Sequence, residues 1–175
     1  MKKRLGDRLN RQVNRPYGTQ RSARGAQFSP MLIATLATSV ITLLTILVHY
    51  EAIRLVHRWS GNAWGGVRLR IVGGVFALFA AHSLEIWMFA AGIFISKNYL
   101  GLGGLEGAFD ETLADYLYIS VVTYAAVGYG DIWPVGFVRI MCGFEALTGI
   151  LMMAWSAAYT VFRLQEIWME EDDRK

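Results

Sequence analysis

The chain has 175 residues, is 54% hydrophobic and carries a net charge of +3. It is more apolar than an ordinary soluble domain and short enough for one unit. Its one cysteine, Cys142, excludes an intrachain disulfide and a cysteine-built metal centre.

The charge is uneven. Residues 1–30 hold eight Lys or Arg and one acid, Asp7. This tail lacks a helical apolar period and reads as disordered. Its basic residues suit a solvated segment with no partner or, because a membrane-length run follows, contact with anionic lipid; nucleic acid is not expected. It is no secretory signal, since the run after it is too long and has no small-residue cleavage site.

A bilayer-spanning helix needs about 20 apolar residues. MLIATLATSVITLLTILVHY, Met31 to Tyr50, meets that length without a charge. Glu51 to Arg58 extends it, giving a first transmembrane helix over 31–58. Residues 59–70 form a connecting loop, with a flexible turn at Gly61, Gly65 and Gly66. His49 and His57 are expected at the interface, within the range where a histidine can respond to pH.

The second span, 71–96, is interrupted only by His82 and Glu85. These stand at i and i+3, so their side chains can meet. Ionisable residues at this depth raise a functional hypothesis: a metal site, a proton sensor, or an anchor to Trp or Tyr on a neighbouring helix. The anchor is favoured, because two ligands are too few for zinc.

Gly101, Gly103, Gly104 and Gly107 mark a loop. Asp110 or Thr112 then caps a helix over about 112–124, with Glu111 favourable in its first turn. At roughly 18 Å it is too short to cross a bilayer. The stretch Ala126, Val127, Gly128, Tyr129, Gly130 follows, then Asp131, and the chain turns at Pro134. The third span covers about 137–163 and contains Arg139, Glu145 and Gly149. Glu145 is expected behind the glycine strand in a structural hydrogen bond; its spacing of six from Arg139 puts the two on different helix faces. Gly149 is either an opening hinge or a point of close helix packing.

Non-helical backbone at membrane depth survives only where protein buries it or it lines a watery cavity. A half-helix leading into Ala-Val-Gly-Tyr-Gly suits the second case. A dehydrated cation needs oxygens in place of water, and backbone carbonyls supply them when successive C=O groups point one way. Glycine permits this, because it reaches positive φ at little cost. Gly128 and Gly130 are expected in that role, alternating with Val127 and Tyr129. The negative end of the half-helix, near Tyr124, aims at the cation.

SVVTYAAVGYGDIWP, Ser120 to Pro134, resembles the pore-loop signature of potassium channels, T-x-x-T-V-G-Y-G-D, with Thr123 at its first threonine. FEALTGILMMAW resembles the inner helix of bacterial pore-only channels. HSLEIWMFAAG is similar to a bacterial group with one extra helix before the pore pair. The resemblance covers roughly 31–168, the first span only in kind. It implies an all-α, multi-pass membrane protein with three transmembrane helices, a re-entrant pore helix and a filter loop. It also implies a homotetramer, since a filter needs four loops, located in the cell (inner) membrane. The expected function is passive, selective K⁺ conduction, with ions at the carbonyls of Ala126, Val127, Gly128 and Tyr129, Asp131 at the mouth, no cofactor and no enzyme activity. One departure stands out: Ala126 replaces the family's threonine, whose hydroxyl completes the innermost ion site. Two alternatives follow, a non-conducting or weakly selective accessory subunit and an intramembrane metal-dependent enzyme using His82, Glu85 and Glu145.

An outward-opening pore loop puts 51–70 inside and the N-terminus outside. Arg54, Arg58, Arg68 and Arg70 agree with that; the basic tail does not. A natural start at Met31 would remove the conflict. No ladder of voltage-sensing arginines is present, and the segment QEIWMEEDDRK names no opening stimulus.

Overall fold

A computed structural model describes residues 18–62 and 66–172. The elements run α1 (Gly18–Asn62), α2 (Val67–Asn98), β1 (Gly103–Gly107), α3 (Leu113–Tyr124), β2 (Ile132–Gly136) and α4 (Val138–Asp172). Three of the helices are long and apolar enough to cross a membrane, over Ser29–Trp59, Val67–Asn98 and Val138–Met169.

α1 starts earlier than expected. Residues 18–30, read as disordered tail, are helical, and Pro30 lies inside the helix. Once a span has nucleated a helix, each added residue gains a bond, and Gln20, Arg21, Ala23, Arg24 and Ala26 are good helix formers. The rest of the expected tail, residues 1–17, lies outside the described residues. The loop assigned to 59–70 is also shorter, because α1 reaches Asn62 and α2 begins at Val67.

α1 packs on α2 and α4, and α3 sits between α2 and α4. The buried residues of α1, Ala34, Thr38, Thr45, His49 and Val56, recur at helical spacing and form one stripe against the rest of the chain. Phe89, Ala90, Ile93, Tyr116, Ile119, Tyr124, Met141 and Cys142 make the core where α2, α3 and α4 meet. The cap of α3 is Thr112, not Asp110. Its hydroxyl accepts from the Asp115 N–H, while the Asp115 carboxylate accepts from the Thr112 N–H at 3.1 Å, closing a reciprocal capping box.

The glycine-rich segment is not a loop, and Pro134 is not at a turn. β1 and β2 pair antiparallel, with Gly103 opposite Gly136, Leu105 opposite Pro134 and Gly107 opposite Ile132. In a two-stranded ribbon each strand has a free edge, so a proline without an N–H is tolerated. Gly107 has φ +100°, and a Cβ there would collide with the Asp131 carbonyl. The glycines therefore let two strands close tightly around the segment between them. That segment is α3 and the strand after it.

Candidate functional site: the glycine-rich segment after α3 and the polar cluster behind it

α3 ends where Ala125, in a right-handed conformation, caps it through bonds to the Val121 and Thr123 carbonyls. The next residue turns over: Ala126 has φ +53°, and Gly128 has φ +102°. Val127 and Tyr129 lie between and after these left-handed residues at negative φ, so handedness alternates from Ala126 to Tyr129. In an extended strand successive carbonyls point to opposite sides. Alternating handedness instead turns successive carbonyls toward one side. The expected roles are thus partly reassigned: Gly128 takes positive φ as expected, Gly130 does not, and Ala126 does so in its place. An L-residue in that region costs roughly 1–2 kcal/mol, so the alanine that departs from the threonine pattern is also the strained residue of the strand.

Val127 is 77% exposed and Tyr129 46% exposed in the single chain. The Tyr129 hydroxyl lies 3.4 Å from Thr123 Oγ1. Asp131 follows at the start of the ribbon. Its carbonyl accepts from the Ala108 N–H at 2.9 Å. Its carboxylate interacts with the Tyr118 hydroxyl. Asp131 is thereby braced on both its backbone and its side chain.

Glu145 on α4 is fully buried behind α3, where its carboxyl meets the Ser120 hydroxyl. This matches the expected structural hydrogen bond, and Arg139 plays no part in it. Four residues on, Gly149 faces the end of α3: a Cβ there would land on the Tyr124 carbonyl oxygen. Close approach of the two helices requires the glycine, whatever else it permits.

His82 and Glu85 meet as the i, i+3 spacing anticipated, with His82 Nδ1 3.5 Å from Glu85 Oε2. The expected tyrosine anchor is Tyr124, whose hydroxyl bonds Glu85 and lies 3.0 Å from His82 Nδ1. Two further members were not foreseen in this role. His49, expected at the interface, is fully buried, with Nδ1 2.8 Å from Glu85 Oε1. Ser156 of α4 lies 3.0 Å from His82 Nε2 and 3.2 Å from His49 Nε2. One polar cluster thus joins α1, α2, α3 and α4. A single signal pointed to His49, a histidine on the buried stripe of the first span, and spacing alone could not pair it with a residue 36 positions away.

Residues 81–166, from the middle of α2 through α3 and the glycine-rich segment to α4, match a family model described as an ion channel. That stretch of the chain is similar to an ion channel domain. Two curated relatives, both named Protein LctB, align over 50 residues: that of Geobacillus stearothermophilus at 48% identity and that of Bacillus caldotenax at 46%. Each alignment covers 29% of this chain and 37% of the relative, so little more than a third of either relative is represented. No solved structure matches the chain. With three helices long and apolar enough to cross a bilayer, the chain is a membrane protein.

Proposed function

We propose that the chain is one quarter of a homotetrameric, potassium-selective channel that conducts passively. The observation that carries this reading is the strand from Ala126 to Tyr129, delivered by a half-helix too short to span and alternating in handedness. Four such strands around an axis offer rings of carbonyl oxygens that can replace the hydration shell of a K⁺ ion. The C-terminal end of α3 adds a favourable dipole for a cation below the strand. Asp131 adds a carboxylate at the mouth, and Glu106, Asp110, Glu111 and Asp115 a field that gathers cations, screened by salt. The sites at the Val127, Gly128 and Tyr129 carbonyls are complete. The innermost site, at Ala126, has a carbonyl and no hydroxyl and is the weak point of selectivity.

Flux decides the matter. Purified protein is placed in K⁺-loaded liposomes and dye uptake is driven with a proton ionophore, then repeated with Na⁺ inside and with Ba²⁺ added. Uptake that needs K⁺ and is blocked by Ba²⁺ is the expected result. Equal flux with Na⁺ would transfer the protein to the weakly selective cation channels. No flux from a folded assembly would favour a non-conducting accessory subunit.

A further inference from the structure

We propose that His49, His82 and Glu85 form a binding site for a divalent transition metal ion, zinc above all, that ties α1 to the pore domain. Two ligands were too few; the fold supplies the third. One ligand atom from each residue lies within 4.8 Å of the others. Tetrahedral zinc, with bonds near 2.0–2.1 Å to nitrogen, holds its ligand atoms about 3.3 Å apart. His49 Nδ1 lies 2.8 Å from Glu85 Oε1 and His82 Nδ1 3.5 Å from Glu85 Oε2, so each histidine stands near that separation from one of the two carboxylate oxygens. Two histidines and a carboxylate are a zinc donor set that leaves a fourth position, and the Tyr124 hydroxyl stands beside it.

The outer contacts fit as well. Metal-bound histidines donate their remaining ring N–H to an oxygen that fixes the tautomer. Here both Nε2 atoms converge on the Ser156 Oγ, which has two lone pairs to accept them. Both Nδ1 atoms then turn lone pairs toward Glu85, and His82 Nδ1 also lies 3.0 Å from the Tyr124 hydroxyl. Proton counting points the same way. Without an ion, the contacts among the five groups are His49–Glu85, His49–Ser156, His82–Ser156, His82–Tyr124 and Tyr124–Glu85. Five bonds need five protons, and two neutral imidazoles, one phenol and one serine hydroxyl supply four. A metal ion on the Nδ1 side removes the shortfall. It also offsets a carboxylate whose side chain is fully buried at a depth where an unpaired charge is costly. His82, whose side chain is 17% exposed, gives the ion a way in.

The test reads metal, not conduction, so it stands or falls separately from the channel assignment. The full chain is purified in detergent, stripped with a chelator, and titrated with Zn²⁺ or Co²⁺. Bound metal is counted after gel filtration, and Co²⁺ is followed by its visible ligand-field bands. The expected result is one ion per chain, tetrahedral Co²⁺ bands, and a melting temperature that rises with Zn²⁺. His49→Gln and Glu85→Gln should abolish the bands. Ser156→Ala keeps all three ligands, and so guards against a folding artefact; it should weaken affinity by about tenfold, the lower end of the range for an outer partner. A folded wild-type protein that takes up no ion overturns the proposal, leaving an extra proton to supply the fifth hydrogen bond of the cluster. Uptake by His49→Gln and Glu85→Gln equal to wild type overturns it too, by placing the metal elsewhere.

Discussion

At the scale of the residue, Ala126 carries two departures at once: it lacks the hydroxyl that the potassium-channel pattern places there, and it holds a positive φ. These make Ala126→Thr a substitution with opposed effects. The added hydroxyl should raise K⁺ over Na⁺ permeability, read as the shift in reversal potential under bi-ionic conditions. The β-branched side chain should meanwhile lower the melting temperature, because such residues resist positive φ more than alanine. An unmoved permeability ratio would dismiss the hydroxyl explanation. Gly149 gives a second residue-level test. In an open helix, Gly→Ala is worth about 1 kcal/mol of stability. Here the methyl group would strike backbone, and overpacking of that kind costs typically 1–3 kcal/mol. Gly149→Ala should therefore reduce thermal stability; a rise in melting temperature would mean that the glycine is a hinge and not a contact.

At the scale of the element, α3 is short and starts with its own lock. The Asp115 carboxylate is held below the ordinary carboxylate range chiefly by the Thr112 backbone N–H, with the Thr112 hydroxyl and Asp110 N–H contributing. A depressed acid stabilises the fold at pH values above its ordinary value, about 4, and loses that contribution as pH falls through the lowered one. Wild type should thus melt higher than Asp115→Asn at neutral pH, and the gap should close on acidification below about pH 4. A gap that persists in acid would show that the cap does not depend on the charge. Removing the partner, Thr112→Ala, should cost about 1 kcal/mol at any pH where the helix forms.

This helix, the three apolar spans and the non-helical glycine segment after the helix were legible in the sequence, because each rests on a local property: apolar length, a capping pattern, glycines beside an apolar run. The ribbon was not. Gly103, Gly104 and Gly107 read locally as breakers, and only their pairing with 132–136 makes them strand. His49 escaped for a similar reason, since its partners lie on two other helices, α2 and α4, and no spacing encodes them. Gly130 and Ala126 exchanged expected roles because residue type alone does not fix which position of a strand must reverse its handedness.

At the scale of the whole molecule, the single chain leaves the strand that matters most uncovered. Val127 and Tyr129 are apolar or aromatic, exposed, and set after a helix with a well-buried face. Exposed apolar surface rimmed by polar groups marks an interaction site, and a closed cyclic ring of copies covers all such faces equally. Native mass spectrometry of the detergent-solubilised protein should give four chains, and Val127→Glu should shift the population toward single chains. A monomer that conducts would remove the basis for the tetramer. α1 contributes differently, along one stripe centred on Thr45 and His49. Deleting α1 should leave the α2–α4 unit able to conduct while lowering its thermal stability, which flux and melting on the truncated protein would report.

The antiparallel ribbon has a consequence for order in time. By pairing 103–107 with 132–136, it brings together the two ends of a short stretch, so the chain entropy of closing that circuit is modest. Everything between, helix and strand alike, can therefore settle within one newly made chain before any second copy arrives. In the proposed tetramer, assembly is then a docking of finished parts rather than a joint folding event. A lone chain would wait in the bilayer as a shaped and patient intermediate.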